Sequence, residues 1–230
     1  MHIHGFNKTT LLDYPKHLAA TIFIGGCNLR CPFCHNASLV TNVNSQPIIP
    51  TNEVLAVLKK RKDILEGVCI TGGEPTIYSD LPEFINDIKK LGLKVKLDTN
   101  GSNPSMIKSL IHNNLIDYIA MDIKNSKDKY SLSVGVDNYL INNTSESINF
   151  ILQGLIDYEF RTTIVKELHS EIDMIAIGEW IKGANAYYLQ AFVDSGDLIS
   201  NGLTAHSKEE MSHFSSLLKP YVKSVFLRGL

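Results

Sequence analysis

No apolar run in this chain approaches the roughly 20 residues that a bilayer-spanning helix needs. Neither charge sign dominates either: 22 Lys and Arg stand against 24 Asp and Glu, a formal net charge of −2. Without a basic run or face, general binding to nucleic acid or to a membrane surface is not expected. The cluster Lys59-Lys60-Arg61-Lys62 reads as a solvated helix face. The opening Met1-His2-Ile3-His4-Gly5-Phe6 has no charged segment followed by an apolar one, so no signal peptide is expected and the chain is expected in the cytoplasm. Cysteine is scarce, and three of the four lie within eight residues. That grouping excludes a disulfide framework and favours metal binding or redox catalysis. The fourth, Cys69, sits in the apolar run Gly67-Val68-Cys69-Ile70-Thr71 and reads as a small buried hydrophobe.

What is present is an alternation of short apolar runs with amphipathic stretches. Strands are expected at about 18–24, 68–71, 94–99, 118–123, 158–165, 187–193 and 222–227. Helices are expected at about 51–64, 80–91, 104–113, 145–155, 171–181 and 207–218, with Thr51 and Asp80 as caps and Gly92 as a stop. The polar stretch Thr41 to Pro50 reads as a long loop, not a linker, so residues 1–230 are expected to form one domain. Regular β–α alternation predicts an α/β fold with a parallel sheet, a partial (β/α) TIM-like barrel of roughly six strands. In such barrels chemistry collects on the loops after the strands. The cysteine cluster follows the first expected strand and Gly72-Gly73-Glu74-Pro75 the second, while Asp98-Thr99-Asn100-Gly101 ends the third and Asp122-Ile123-Lys124 the fourth. Four polar or Gly-rich signals thus fall on one rim.

The segment Gly25-Gly26-Cys27-Asn28-Leu29-Arg30-Cys31-Pro32-Phe33-Cys34-His35-Asn36 spaces its cysteines as Cys-x3-Cys-x2-Cys. Thiolates suit iron–sulfur clusters and zinc. Three on one loop can hold three corners of a cubane cluster, leaving one iron open for catalysis. Two other readings stand beside this one. A zinc-stabilised binding module would use the three cysteines with His35, although consecutive residues rarely point at one ion. A dithiol redox motif would use Cys31 and Cys34 and leave Cys27 unexplained.

The Cys27, Cys31, Cys34 triad resembles the cluster motif of the radical S-adenosylmethionine (SAM) superfamily. That resemblance implies a [4Fe–4S] cluster on the three cysteines, with SAM bound to the open iron. It also implies that Gly72, Gly73 and Glu74 meet the amino group of SAM, where glycines allow close backbone approach and Glu74 offsets the ammonium charge. Asp98, Thr99, Asn100, Asp122 and Lys124 resemble a narrower group, the glycyl-radical-enzyme activating enzymes. There, equivalent aspartates and a lysine surround the SAM ribose and carboxylate, in some members with a bound monovalent cation, for which Asp98, Thr99 and Asp122 offer oxygens. The bland alternative is an Asp–Lys pair stabilising loops.

Across most of the chain, Gly5 to Pro15, Phe33 to Asn36, Leu97 to Gly101, Tyr158 to Thr163 and Leu227 to Gly229 resemble activating proteins of anaerobic ribonucleoside-triphosphate reductases. The implied partner is that glycyl radical enzyme, with a flavodoxin- or ferredoxin-type electron donor. Alternatives are activation of another glycyl radical enzyme, or chemistry on a nucleoside-derived small molecule. Asp13 is implied to meet the partner's glycyl loop, although pyruvate formate-lyase activases carry Gly-Pro-Gly where this chain has Tyr14-Pro15-Lys16. The superfamily's Gly-rich motif on the fifth strand is not recognisable. Arg161 is polar in a strand-like stretch and can either reach the site or pair with a nearby carboxylate; Gln190 is a weaker candidate.

Overall fold

The computed structural model describes residues 1–230. Its centre is one eight-stranded sheet in sequential order, open between its first and last strands: β1 (Ile3–Thr10), β2 (Ala19–Ile24), β3 (Gly67–Gly72), β4 (Lys94–Thr99), β5 (Tyr118–Asp122), β6 (Asp157–Ile164), β7 (Tyr187–Ala191) and β8 (Val225–Arg228). Strands β2 to β8 run parallel, so the expected partial barrel is present, with seven parallel strands where roughly six were expected. The addition is β1, which pairs antiparallel to β2. No helix is long and apolar enough to cross a membrane.

Each strand divides its side chains between two faces because successive residues point opposite ways. Val68 and Ile70, Val95 and Leu97, Ile119 and Met121 are wholly buried in the hydrophobic core. The alternate set is polar: Thr71, Lys96, Asp98, Asp122, Glu159, Arg161, Thr163 and Gln190. In register, Cys69 lies beside Lys96 and Asp122 beside Arg161. A concave face of this composition stays folded only if its charges are paired.

The helices are α1 (Ala37–Thr41), α2 (Thr51–Arg61), α3 (Leu81–Lys90), α4 (Pro104–His112), α5 (Tyr130–Val134), α6 (Ile141–Ile151), α7 (Glu171–Trp180) and α8 (Lys208–Leu218). In α3, Leu81, Phe84, Ile85 and Ile88 are buried at helical spacing, and Gly92 in left-handed conformation (φ +82°) follows its end. Two expected caps differ. Thr51 is already helical, with Pro50 at the cap position. Asp80 sits at the cap of α3, but its carboxylate binds the Met1 ammonium at 2.7 Å instead of the helix amides. By contrast, Ser207 caps α8 through a reciprocal box with Glu210.

Candidate functional site

The cysteine segment leaves β2 at Ile24 and is tied down mainly by backbone bonds. Gly26 N donates to Leu39 O at 2.8 Å, Arg30 N to Val134 O at 2.8 Å, and Cys34 N to Cys31 O at 3.0 Å. The Arg30 guanidinium folds back onto the carbonyls of Cys27 and Leu29, both at 2.7 Å. Ser200 N reaches Pro32 O at 3.0 Å, so the segment after β7 crosses over the loop. All four cysteines are free thiols. Cys27, Cys31 and Cys34 line one cavity of about 410 Å³, within the ordinary range for a ligand pocket. Cys69 is wholly buried on β3, apart from the other three.

The cavity is also lined by Asp98, Asp122, Lys124 and Arg161, which with Lys96, outside the lining, form a row of alternating charges. Lys96 pairs with Asp98 Oδ1, and Asp98 Oδ2 accepts from Arg161 Nη1 at 3.1 Å. Arg161 Nε donates to Asp122 Oδ1 at 2.8 Å, and Asp122 Oδ2 accepts from Lys124 Nζ at 2.9 Å. Burial alone would neutralise these groups. Arg161 and Lys96 nevertheless hold the Asp98 carboxyl below its usual value, and Arg161 and Lys124 do the same for Asp122. Asp122 in turn holds the Lys124 ammonium protonated against its burial. Of the cations in this row, Arg161 and Lys124 line the cavity and could meet a ligand carboxylate. Both readings of Arg161 hold at once: it lines the cavity and it bridges two carboxylates. A monovalent cation between Asp98 and Asp122 would have to displace it.

Every site residue expected from the sequence lines this cavity except Glu74. Its side chain is fully buried, and burial raises its carboxyl above the ordinary value. Four donors, all needing an acceptor, oppose that rise. Oε1 accepts from Thr76 N at 3.0 Å, Thr76 Oγ1 at 2.6 Å and Thr99 Oγ1 at 2.8 Å, while Oε2 accepts from Asn100 N at 2.6 Å. Glu74 therefore locks the loop after β3 to the loop after β4. Thr99 shares the lock, and the Asn100 amide reaches Asn28 Oδ1 at 3.0 Å in the cysteine loop. The glycines are needed for backbone approach, as expected, but that approach is to the chain itself. A Cβ on Gly73 would lie 2.0 Å from Gly26 O. Gly73 N and Glu74 N donate to Ile24 O and Gly26 O at 2.7 and 2.8 Å.

Asp13 also lines the cavity, with its carboxylate accepting from Thr21 Oγ1. Gln190 and Thr163 join from β7 and β6. Lys96 escaped sequence reading, although Lys94-Val95-Lys96-Leu97-Asp98 alternates polar and apolar residues and places Lys96 on the face of Asp98. His35 lies against Phe192, ring centroids 5.8 Å apart and 25° from parallel.

These residues fit an iron–sulfur cluster better than a single ion. No three His, Cys, Asp or Glu side chains converge on a point that could hold one metal ion. A cubane instead takes one thiolate per iron, and the three cysteines that line the cavity supply three. Burial pushes the Cys27 thiol up to about 12 and Cys31 up to about 11, so metal binding would have to displace their protons.

The family model described as the radical SAM superfamily matches residues 21–173. A protein of Methanocaldococcus jannaschii, provisionally named a glycyl-radical enzyme activating enzyme, is 31% identical over 99% of this chain and 96% of its own. The pyruvate formate-lyase-activating enzyme of Clostridium pasteurianum is 30% identical over 55% of this chain and 53% of its own. The 7-carboxy-7-deazaguanine synthase of Thermoplasma acidophilum is 26% identical over 67% of this chain and 70% of its own. Among solved structures, Streptococcus suis SuiB bound to S-adenosylmethionine matches 91% of this chain with a TM-score of 0.69 at 16% identity, a likeness of fold. This chain spans about half of SuiB, 52%.

Proposed function

The chain belongs to the radical SAM superfamily, and from that premise we propose that it is a glycyl-radical-enzyme activating enzyme. The family implies a [4Fe–4S] cluster and SAM. When bound, they supply a reducing electron and a deoxyadenosyl radical that takes hydrogen from a substrate. Cys27, Cys31 and Cys34 would hold three irons. Arg161 and Lys124 offer positive charge to the SAM carboxylate, and the backbone of Gly72 and Gly73 forms the neighbouring wall. The segment after β7 is tied to the cysteine loop by the Ser200 N to Pro32 O bond. A monovalent cation enters this reading only as a competitor of Arg161 for Asp98 and Asp122.

The substrate in this reading is a glycine Cα of a partner glycyl radical enzyme, most specifically an anaerobic ribonucleoside-triphosphate reductase. A flavodoxin- or ferredoxin-type protein would supply electrons, and the setting would be the cytoplasm. The observation that carries it is end-to-end likeness to a relative named for glycyl-radical activation, 99% of one chain against 96% of the other. Asp13, within the cavity and two residues from exposed Leu11, is our candidate for meeting the partner's loop.

The test is anaerobic incubation of reconstituted protein, SAM and dithionite with the reductase. It follows 5′-deoxyadenosine by chromatography and the glycyl radical by electron paramagnetic resonance. Radical appearing on the reductase, and lost in Cys31→Ala, supports the reading. The likeness to a deazaguanine synthase favours a second reading, a nucleoside-derived small molecule as substrate. Deoxyadenosine formation stimulated by such a compound, with no radical on any glycyl enzyme, would replace the first reading with the second.

A further inference from the structure

His169 lies just past β6, outside every motif used above, and is 2% exposed. Its ring is committed at both nitrogens. Nδ1 lies 3.0 Å from Val165 N and 3.2 Å from Val165 O; the shorter contact, with an N–H that can only donate, assigns Nδ1 as the acceptor and the ring proton to Nε2. Nε2–H then donates to the carbonyl of Lys124 at 2.9 Å. One imidazole therefore joins the carboxyl ends of β5 and β6. Its bond falls on the backbone of the residue whose ammonium enters the cavity. The ring also meets Phe33, between Cys31 and Cys34, edge to face with centroids 6.3 Å apart.

We propose that His169 is a positioning residue that sets the peptide plane of Lys124 and so aims its ammonium at the SAM carboxylate. This rests on the reading of Lys124 given above. Fixing the carbonyl leaves the Lys124 side chain with Asp122 as its other anchor, at 2.9 Å. With that carbonyl released, the ammonium can follow Asp122 while the backbone beneath it shifts. The surrounding segment has side-chain anchors besides His169, none of them on the Lys124 carbonyl. Asn125 Nδ2 donates to Ser133 Oγ at 2.8 Å and to Leu168 O at 3.0 Å, and Ser126 Oγ donates to Asp173 at 2.9 Å. These bonds join the same two segments, so the variants are expected to fold while the Lys124 carbonyl loses its donor.

Two variants separate the ring's two bonds. His169→Asn keeps an acceptor for Val165 N–H but is too short to reach Lys124; His169→Gln places an amide N–H where Nε2 stands. The measurement is equilibrium binding of SAM to anaerobically reconstituted protein, per iron–sulfur cluster, with the change that SAM causes in the paramagnetic spectrum of the reduced cluster. His169→Asn should weaken binding several-fold, with the roughly ten-fold worth of one buried hydrogen bond as the ceiling, and alter that spectrum. His169→Gln should recover most of the loss.

Lys124→Gln should weaken binding at least as much. The double variant His169→Asn/Lys124→Gln should bind no worse than Lys124→Gln alone, because a residue acting through Lys124 has nothing further to lose. If the two losses multiply, or if His169→Asn binds normally while Lys124→Gln does not, the positioning role is wrong. If Lys124→Gln binds normally, the reading of Lys124 fails first, and the inference falls with it.

Discussion

Replacing Glu74 by glutamine tests whether this residue holds the chain together or holds a ligand. Its two oxygens accept four hydrogen bonds, two of them from backbone amides that cannot turn elsewhere, those of Thr76 and Asn100. Glutamine keeps one oxygen. With that oxygen on the side of Thr76 and Thr99, the new amide faces the Asn100 N–H, donor against donor, at a position where carboxylate and nitrogen are 2.6 Å apart. A buried donor left without a partner costs about 1–3 kcal/mol, and the remaining bonds lose the roughly two-fold strengthening that the ionised acceptor gave them. Removing the buried charge returns part of this, since burial opposes ionisation of Glu74. The net expectation is a loss of about 2–3 kcal/mol. For a domain of this size that lowers the melting temperature by about 5–10 °C. The assay is thermal unfolding followed by circular dichroism on Glu74→Gln and wild type, both without SAM. An unchanged melting temperature together with weakened SAM affinity would refute the reasoning and return Glu74 to the ammonium of the ligand.

Cys31→Ala should lose most of its reconstituted iron while Cys69→Ala keeps a full complement, measured by iron and sulfide analysis. The buried Asp173 accepts hydrogen bonds from Lys129, Ser126 and Ser170 that outweigh its burial and bring its carboxyl down from 3.8 to about 2. A carboxyl depressed on folding contributes stability that is complete above pH ~4 and is lost as pH falls toward 2, here about 2 kcal/mol. Urea titrations across that window should show a flatter acid limb for Asp173→Asn. Arg228→Met leaves the buried Glu159 carboxylate with only Tyr118 as a donor and should cost about 3 kcal/mol in urea unfolding. Adding Glu159→Gln should restore most of it, and a double variant no better than the single would count against the ion pair.

The β–α order was legible because each strand is a short apolar run closed by polar or Gly-rich residues, and each long helix shows its buried positions at helical spacing. The N-terminal strand was not. Ile3–Thr10 is exposed at Asn7, Lys8 and Thr9, and its pairing is antiparallel to a strand nine residues on, so neither hydrophobicity nor the repeating β–α rhythm marks it. The helix expected from 145 to 155 runs from Ile141 to Ile151, because Gln153 and Gly154, the latter at φ +68°, turn the chain out of it. At the site, the cysteines and aspartates were visible as spacing, and their gathering on one rim followed from strand order. The destination of Glu74 was not visible. It depends on Thr76, Thr99 and Asn100 meeting in space, and nothing local to Gly-Gly-Glu-Pro distinguishes a carboxylate facing a ligand from one facing the chain.

The charge row from Lys96 through Asp98, Arg161 and Asp122 to Lys124 also constrains how such a site can drift over generations. Each interior member has an opposite charge on either side, so changing one alone strands its neighbours in a poorly solvated wall. Tolerated changes must therefore arrive in compensating pairs, Asp98 with Lys96 or Asp122 with Lys124, while Arg161 at the middle answers to both aspartates. In an alignment of relatives these positions should covary as two couples around one fixed centre. A relative that has exchanged Arg161 for a neutral residue while keeping both aspartates would need another cation in the gap.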